Sequence, residues 1–323
     1  MINRTYNKEM PYKNVGNSGL LLSFLGLGTW LNFNSYERAR ILVEQSRNGG
    51  VCYFDTADMY GQLPGWAESF LGEALQGHRR SSYVVSSKVY SRVGRWPNDS
   101  GLSRKHIIES CDASLSRLKL DYMDLYYCHR YDPNTPLEET ADAMSYLVQQ
   151  GKILYIGISM WPPEKILEFS NLAKSRGIQV VANQVLYNVI QRPSKEVLRV
   201  CEQEGIGLVA FSPLAQGALT GKYLDGLKDE YRKNIASRNK WINRIYTDHQ
   251  LISKLNEFFK ICNDFKISYI QAAFGWLYKQ KHICCALAGF RNEEQLADIT
   301  KLAPYSIPEE MSIQMDSLFL DEE

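Results

Sequence analysis

The chain has little net charge and no long apolar run, and each absence excludes a class of protein. Its 323 residues carry 37 Lys and Arg against 36 Asp and Glu, a formal net charge of +1. This balance gives no reason to expect nucleic acid or an anionic membrane as a partner. The longest mostly apolar run, residues 19–28, spans ten positions, whereas a membrane-spanning helix needs about 20. Residues 1–13 are polar and charged, so we expect neither a secretory signal nor membrane insertion.

The cysteines lack the spacing of a metal site or of a disulfide framework. There are seven, an odd number, and none belongs to a CxxC or Cys/His ligand pattern. Cys284 and Cys285 are adjacent in an apolar, strand-like run, which favours buried free thiols. We therefore expect no metal, and a reducing, cytoplasmic location.

Short β-like runs alternate with longer helical patterns along the whole chain, which predicts eight βα units. Strands that are separated by helices pair in parallel, and right-handed crossovers close eight of them into a barrel. We expect an α/β fold, a (β/α)8 TIM barrel with an N-terminal β-hairpin over 12–23 and an extra C-terminal helix over 308–319. The predicted strands cover 25–28, 53–55, 83–88, 123–127, 154–158, 180–183, 207–211 and 284–288. The predicted helices cover 36–47, 66–75, 104–118, 137–150, 163–176, 194–204, 251–266, 269–279 and 293–301.

A doubly wound nucleotide-binding fold is excluded by the one glycine-rich stretch that follows a strand. Gly26 and Gly28 are present, but Leu31 stands where the dinucleotide fingerprint needs its third glycine. The bulky Trp30 would also block a close approach of the backbone to a pyrophosphate. No Pro-, Ser- or Gly-rich linker divides the chain, so we expect one domain over 1–323. The long irregular region 212–247 is predicted to be functional.

Four chemically matched side chains lie at or just after the ends of three successive predicted strands. They are Asp55 and Tyr60 after the second strand, Lys88 after the third and His129 after the fourth. A phenol is a poor acid near neutral pH unless a cation lowers its pKa, and a lysine held charged by a carboxylate supplies that cation. A histidine on the next strand end could orient a carbonyl oxygen. This set predicts proton donation to a carbonyl, although any one of the residues alone would more often cap a helix or pair with a neighbour.

Several ordered motifs give the chain a resemblance to the aldo-keto reductase superfamily over nearly its whole length. Within it, the chain looks most like the branch of potassium channel β subunits and bacterial reductases of glyceraldehyde phosphate and methylglyoxal. The motifs are Gly26-Leu27-Gly28-Thr29-Trp30, Phe54-Asp55-Thr56-Ala57-Asp58-Met59-Tyr60-Gly61, Ser86-Ser87-Lys88, Cys128-His129-Arg130-Tyr131-Asp132-Pro133-Asn134-Thr135-Pro136-Leu137-Glu138-Glu139, Gly151-Lys152-Ile153-Leu154-Tyr155-Ile156-Gly157-Ile158-Ser159 and Ser212-Pro213-Leu214-Ala215-Gln216-Gly217.

The resemblance assigns catalytic and substrate-binding roles to particular residues. Tyr60 would be the general acid, Lys88 would depress its pKa, Asp55 would hold Lys88, and His129 would position the carbonyl. The substrate would be bound by Trp30, Tyr60, His129 and Arg130.

The resemblance also implies an NADP(H) site. Ser159 and Gln184 would bind the nicotinamide carboxamide, and Phe211 would stack on the ring, although Phe211 could equally be a core residue. Met160 replaces a polar residue that often follows the carboxamide-binding serine, and Arg291 could be a solvated charge. The full set of predicted cofactor residues is Thr29, Trp30, Asp55, Ser159, Gln184, Phe211, Ser212, Pro213, Leu214, Gln216, Gly217, Lys222, Arg238, Gly289, Arg291 and Gln295.

The function expected from this resemblance is NADPH-dependent reduction of an aldehyde or ketone. Two alternatives stay open: a channel β-subunit-like redox sensor that binds a nicotinamide nucleotide, and a biosynthetic keto-sugar reductase. Channel-associated relatives often carry Asn in place of His129, which favours the enzyme. The partner would be a small carbonyl compound, and relatives in the branch form tetramers or octamers.

Overall fold

A computed structural model describes residues 9–30, 33–222, 248–290 and 292–319. The contacts between residues divide the chain into two compact units. The first comprises Met1–Val185, Pro193–Ala210 and His282–Ala303, and the second comprises Leu186–Arg192, Phe211–Lys281 and Pro304–Glu323. The expectation of a single domain over 1–323 stays a prediction.

The architecture is a closed barrel of eight parallel strands, which confirms the predicted (β/α)8 fold. Each strand pairs with the next in chain order, and the last barrel strand, Ile283–Ala288, closes the ring against the first, Leu25–Gly28. Parallel strands present their carboxyl ends at one mouth of the barrel, where this fold carries its active sites. The barrel strands are β3 (Leu25–Gly28), β4 (Tyr53–Asp55), β5 (Val84–Val89), β6 (Met123–Cys128), β7 (Ile153–Ser159), β8 (Val180–Leu186), β9 (Gly207–Phe211) and β10 (Ile283–Ala288).

Helices follow the strands, and a side chain caps the first turn of several of them. Ser103 and Ser194 accept hydrogen bonds from the backbone N–H groups three residues ahead, as the sequence predicted for N-caps. The helix expected over 251–266 spans His249–Asp264, and it begins earlier because Asp248 caps it by accepting from the N–H of Leu251. In the described residues the helices are α1 (Tyr36–Asn48), α2 (Trp66–Leu75), α3 (Arg104–Leu118), α4 (Leu137–Gln149), α5 (Pro163–Ser175), α6 (Lys195–Glu204), α7 (His249–Asp264), α8 (Tyr269–Lys279), α9 (Glu293–Thr300) and α10 (Glu309–Leu318).

The predicted N-terminal hairpin is present and packs on the barrel interior. Strands β1 (Tyr12–Asn14) and β2 (Leu21–Ser23) are antiparallel. Val15 and Leu22 are fully buried in one hydrophobic cluster with barrel residues that include Leu125. Because this cluster fills the barrel, the polar residues at the carboxyl ends of the strands lie next to a packed hydrophobic interior.

The second unit contains α7, α8 and α10 and has its own aromatic core. The indole N–H of Trp276 donates to Asp316, which also pairs with Arg192 at 3.2 Å. The guanidinium of Arg192 lies 4.6 Å from the centroid of a Trp276 ring. The extra C-terminal helix expected over 308–319 is therefore confirmed as α10, and Asp316 fixes it to α8. No helix in the described residues is both long and apolar enough to cross a membrane.

Candidate active site

A buried ion pair joins the ends of β4 and β5. Asp55 lies opposite Ser86 in the parallel register. Lys88 is two residues further along β5, so its side chain faces the barrel interior on the same side of the sheet as Asp55. The Lys88 ammonium is fully buried and donates to Asp55 Oδ2 at 2.6 Å and to the carbonyl of Thr56 at 2.7 Å. Burial lowers the pKa of Lys88, but Asp55 and Tyr60 outweigh it, so that pKa is raised and the amine stays charged.

The second carboxylate oxygen of Asp55 accepts hydrogen bonds from side chains in the interior of the barrel. Oδ1 accepts from Ser86 at 2.7 Å, from Gln184 Nε2 at 3.0 Å and from the Tyr53 hydroxyl at 3.4 Å. The sequence argument missed Tyr53 and Ser86. Both lie two residues before a predicted site residue, so the two-residue alternation of a strand could have identified them.

One glycine makes room for this interior layer. The Tyr53 hydroxyl also lies 3.3 Å from the hydroxyl of Tyr127 on β6. The ring of Tyr127 covers Gly157 so closely that a Cβ at position 157 would collide with it. The aromatic network beside Asp55 therefore depends on the missing side chain of Gly157.

Tyr60 lies in the loop after β4, with its ring between a cation and two other rings. The ring centroid is 4.7 Å from the Lys88 ammonium, 4.7 Å from a Trp30 ring and 5.9 Å from the His129 ring. Burial raises the pKa of the Tyr60 phenol above its usual value, while the charge of Lys88 and a hydrogen bond from it oppose that rise. The sequence argument predicted correctly that Lys88 lowers the pKa of Tyr60, but it did not consider that burial raises this pKa. The phenol therefore keeps its proton at neutral pH, as a proton donor requires.

His129 is buried and neutral. Burial, together with the charges of Lys88 and Arg130, lowers the pKa of the imidazole to about 2. Its Nδ1 has no hydrogen-bond partner in the described part of the chain. A neutral imidazole carries one N–H, so His129 can donate a hydrogen bond but is a poor source of a whole proton.

A second buried acidic layer lies behind Lys88. Glu68 on α2 is fully buried, accepts from Ser87 Oγ at 2.5 Å and pairs with Arg117 of α3 at 2.6 Å. Asp58 is 1% exposed, and neither carboxylate oxygen has a side-chain partner in the described residues. Burial and the neighbouring Glu68 raise the pKa of Asp58 well above its usual value. The strand-end argument did not find this layer, since its members come from two helices and a loop.

The predicted carboxamide residues, Ser159 and Gln184, are register partners on β7 and β8. Both are buried, and Ser159 Oγ accepts a hydrogen bond from Arg130 Nη1 at 3.2 Å. Met160, which follows Ser159, is 45% exposed with φ +56°. Thr29 is buried and donates to the hydroxyl of Thr56, whereas Trp30 is 49% exposed. The structure therefore joins Gln184 to the Asp55 cluster and Ser159 to Arg130 at the ends of adjacent strands.

The other predicted cofactor residues are spread over both units. In the second unit, Phe211 ends β9, and Ser212, Ala215, Gln216 and Gly217 all have positive φ. The Lys222 side chain folds over Gly217, where a Cβ would collide with its ammonium, and Pro213 is buried while Leu214 is partly buried. In the first unit, Gly289 is exposed, and Gln295 lies in the first turn of α9. Arg238 and Arg291 lie outside the described residues.

Comparisons with known proteins point to one family. The sequence model described as "Aldo/keto reductase family" matches residues 24–319. A protein of Oryza sativa subsp. japonica named "Probable voltage-gated potassium channel subunit beta" is 36% identical over 301 residues, which cover 90% of each chain. "L-glyceraldehyde 3-phosphate reductase" of Escherichia coli (strain K12) is 37% identical over 303 residues, 90% of this chain and 86% of that protein.

Proposed function

Because this chain belongs to the aldo/keto reductase family, we propose that it reduces an aldehyde or ketone to an alcohol with NADPH, and that Tyr60 donates the proton. The family and the branch predicted from the sequence are confirmed. Membership supports reduction of carbonyl groups with a nicotinamide cofactor. The preference for NADPH and the roles of single residues are the proposal.

The observation that carries the proposal is the contact of one buried ammonium group with both Asp55 and Tyr60. Lys88 is held charged by Asp55 and lies beside the phenol of Tyr60. Its positive charge stabilises the phenolate that develops as Tyr60 releases its proton to the carbonyl oxygen. His129 donates a hydrogen bond to the same oxygen and orients it. Its low pKa leaves Tyr60 as the source of the proton.

The residues present fit a nicotinamide nucleotide. When bound, the reduced nicotinamide supplies the hydride. Ser159 and Gln184 offer a hydroxyl and an amide on adjacent strand ends, which suits a carboxamide. In the second unit, Ala215, Gln216 and Gly217 have left-handed φ in succession, and the N–H groups of Ala215 and Gly217 donate to the carbonyls of Ser212 and Leu214. Left-handed conformations of non-glycine residues cost about 1–3 kcal/mol each and concentrate at functional sites.

Tyr60→Phe tests the proton donor. The change removes one hydroxyl and keeps the ring that packs against Trp30, so nucleotide binding should persist. A positioned proton donor is worth about 10²–10⁴-fold in rate, and we expect a loss in that range in NADPH oxidation with a panel of aldehydes, ketones and keto sugars. Tyr126→Phe is the matched control, because the Tyr126 hydroxyl is buried without a partner in the described residues. Wild-type turnover in the Tyr60 variant would overturn the assignment.

The same panel tests the class of substrate. The similarity to the Escherichia coli protein named L-glyceraldehyde 3-phosphate reductase supports a small phosphorylated or hydroxylated aldehyde as the substrate. Turnover that is confined to keto sugars would instead favour the biosynthetic alternative.

A channel-associated role is the second candidate, and the similarity to the rice protein named as a channel subunit supports it. The complete set of Asp55, Tyr60, Lys88 and His129 favours catalysis. If the protein bound a channel fragment and showed no turnover across the panel, the channel-associated role would be favoured over catalysis.

We also propose a cytoplasmic location and a homo-oligomeric state. All seven cysteines are free thiols, which suits a reducing compartment. Light scattering of the purified protein measures the assembly directly.

A further inference from the structure

Tyr60 and Lys88 are held in place by different parts of the fold. Lys88 belongs to β5, a strand that is bonded on both sides within the barrel. Tyr60 lies outside any strand or helix, in the loop between β4 and α2. The barrel therefore sets the position of Lys88, whereas the position of Tyr60 depends on the contacts that hold its loop.

The start of α2 holds this loop at Tyr60. The backbone N–H of Ala67 donates to the carbonyl of Tyr60 at 3.1 Å. Gly61 has φ +117°, and a Cβ at that position would lie 2.8 Å from Cβ of Trp66. Because the chain after Tyr60 packs directly on the first turn of α2, a movement of α2 would carry Tyr60 with it.

Glu68 joins the same turn of α2 to the strand that carries Lys88. Its Oε1 accepts from Ser87 Oγ at 2.5 Å, and Ser87 directly precedes Lys88 in β5. Glu68 and Ser87 are both fully buried. One turn of helix thus bonds to Tyr60 through its backbone and to the neighbour of Lys88 through a side chain.

Arg117 of α3 pairs with Glu68 and packs against the start of α2. Its Nε donates to Glu68 Oε2 at 2.6 Å. The side chain of Arg117 lies over Gly65, the N-cap residue of α2, where a Cβ would come within 2.5 Å of its Cδ. The carboxylate of Glu68 therefore accepts on both oxygens, and hydrogen bonds to an ionised group are the strong ones.

We propose that Glu68 is a positioning residue for proton transfer, which acts through α2 and Ser87 to set the distance between the Tyr60 phenol and the Lys88 ammonium. The ring centroid of Tyr60 lies 4.7 Å from that ammonium, and the stabilisation of a developing phenolate weakens as the separation grows. A displacement of about 1 Å can cost about a hundredfold in rate. This inference rests on the proposed role of Tyr60 as the proton donor.

The test measures the chemical step and nucleotide binding separately. Single-turnover oxidation of bound NADPH by an excess of carbonyl substrate reports the chemical step, and quenching of tryptophan fluorescence reports binding. Glu68→Ala should slow the chemical step about tenfold to a hundredfold and leave the affinity for NADPH unchanged. Glu68→Gln keeps an oxygen that accepts from Ser87, so it should recover part of the rate. Ser87→Ala removes only the hydroxyl of this link and should also slow the step.

Asp124→Asn is the matched control. Asp124 is 7% exposed, pairs with the partly exposed Arg80 at 2.6 Å and accepts from the N–H of Val85 at 2.8 Å. Like Glu68, it joins β5 to an arginine, but at the opposite, amino-terminal end of the strand. Asp124→Asn should lower the free energy of unfolding in urea, as Glu68→Gln does, and leave the chemical step unchanged.

The coupling with Lys88 separates positioning from a general loss of packing. In the Lys88→Met protein the ammonium is absent, so the distance that Glu68 sets no longer matters. Adding Glu68→Ala to that variant should therefore slow the chemical step no further, since residues that act through one another are not additive. If circular dichroism shows that Glu68→Ala does not fold, Ser87→Ala serves in the same comparison.

Three results would overturn the inference: losses that multiply in the double variant, an unchanged rate in a folded Glu68→Ala or Ser87→Ala protein, or an equal loss of rate in Asp124→Asn. Each of them leaves the turnover of the wild type, and with it the proposed function, intact. A wild-type protein that oxidised NADPH with no carbonyl compound of the panel would overturn the proposed function, and this inference with it.

Discussion

Replacing Lys88 by Met tests the buried ion pair and the proton donor at the same time. Met has a similar length and no charge, so it can fill the buried space of the lysine side chain. The change removes the 2.6 Å bond to Asp55 and the 2.7 Å bond to the Thr56 carbonyl. Asp55 keeps its three neutral donors, Ser86, Gln184 and Tyr53.

The stability and the rate should both fall, for different reasons. Breaking a buried ion pair by removing one partner costs about 3–5 kcal/mol in the free energy of unfolding, and the three remaining donors favour the lower end of that range. A charge-assisted hydrogen bond to the phenol is worth about 1.5–3 kcal/mol, which is about a tenfold to hundredfold loss of turnover. With Lys88 removed, burial raises the pKa of Tyr60 further. The basic limb of the pH–rate profile, where the phenol loses its proton, should therefore move to higher pH.

The double variant Lys88→Met/Asp55→Asn separates the two effects. It removes both charges, so it should recover part of the stability lost in the single variant and none of the turnover. Urea unfolding followed by circular dichroism measures stability, and NADPH absorbance measures turnover. A folded Lys88→Met protein with wild-type turnover and an unchanged pH profile would refute the role of Lys88.

Two further predictions concern charges outside that pair. The raised pKa of Asp58 means that the folded state binds its proton more tightly, so stability should fall as the pH rises from about 4 towards the folded-state pKa. Asp58→Asn should remove this fall, and its advantage over the wild type in urea unfolding should grow with pH by up to about 1.4 kcal/mol per unit; a constant difference would contradict the raised pKa. Arg291→Ala should weaken NADPH binding about tenfold to hundredfold, as expected for a charge-assisted contact with the 2′-phosphate, and leave NADH binding almost unchanged. Equal losses in fluorescence titrations with both cofactors would show that Arg291 does not recognise that phosphate.

The part of the site that follows from strand order was readable from the sequence. Asp55, Lys88 and His129 come from neighbouring parallel strands, and the carboxyl ends of such strands meet at one mouth. Helices with clear caps were also predictable: α3 has the predicted bounds and begins after the cap Ser103. These features depend on local patterns whose spacing is fixed by the chain itself.

The buried layer behind Lys88 could not be predicted in this way. Glu68 meets Arg117 across 49 positions of sequence, and neither residue carries a local sign of burial. Charged residues are rarely buried unless they are paired, so the sequence alone favours a solvated face for both. The raised pKa of Tyr60 could not be predicted either, because it depends on how completely the fold buries the phenol.

The contact between Gly157 and Tyr127 limits how this protein can evolve. A larger residue at 157 would strike the Tyr127 ring, whose hydroxyl lies next to Tyr53 and so reaches the donors of Asp55. Volume changes in a packed interior are tolerated best when they compensate each other. Mutations at exposed positions, which meet no such packed ring, can therefore accumulate one at a time. A lineage that acquires alanine at 157 must first, or together with it, acquire a smaller residue at 127.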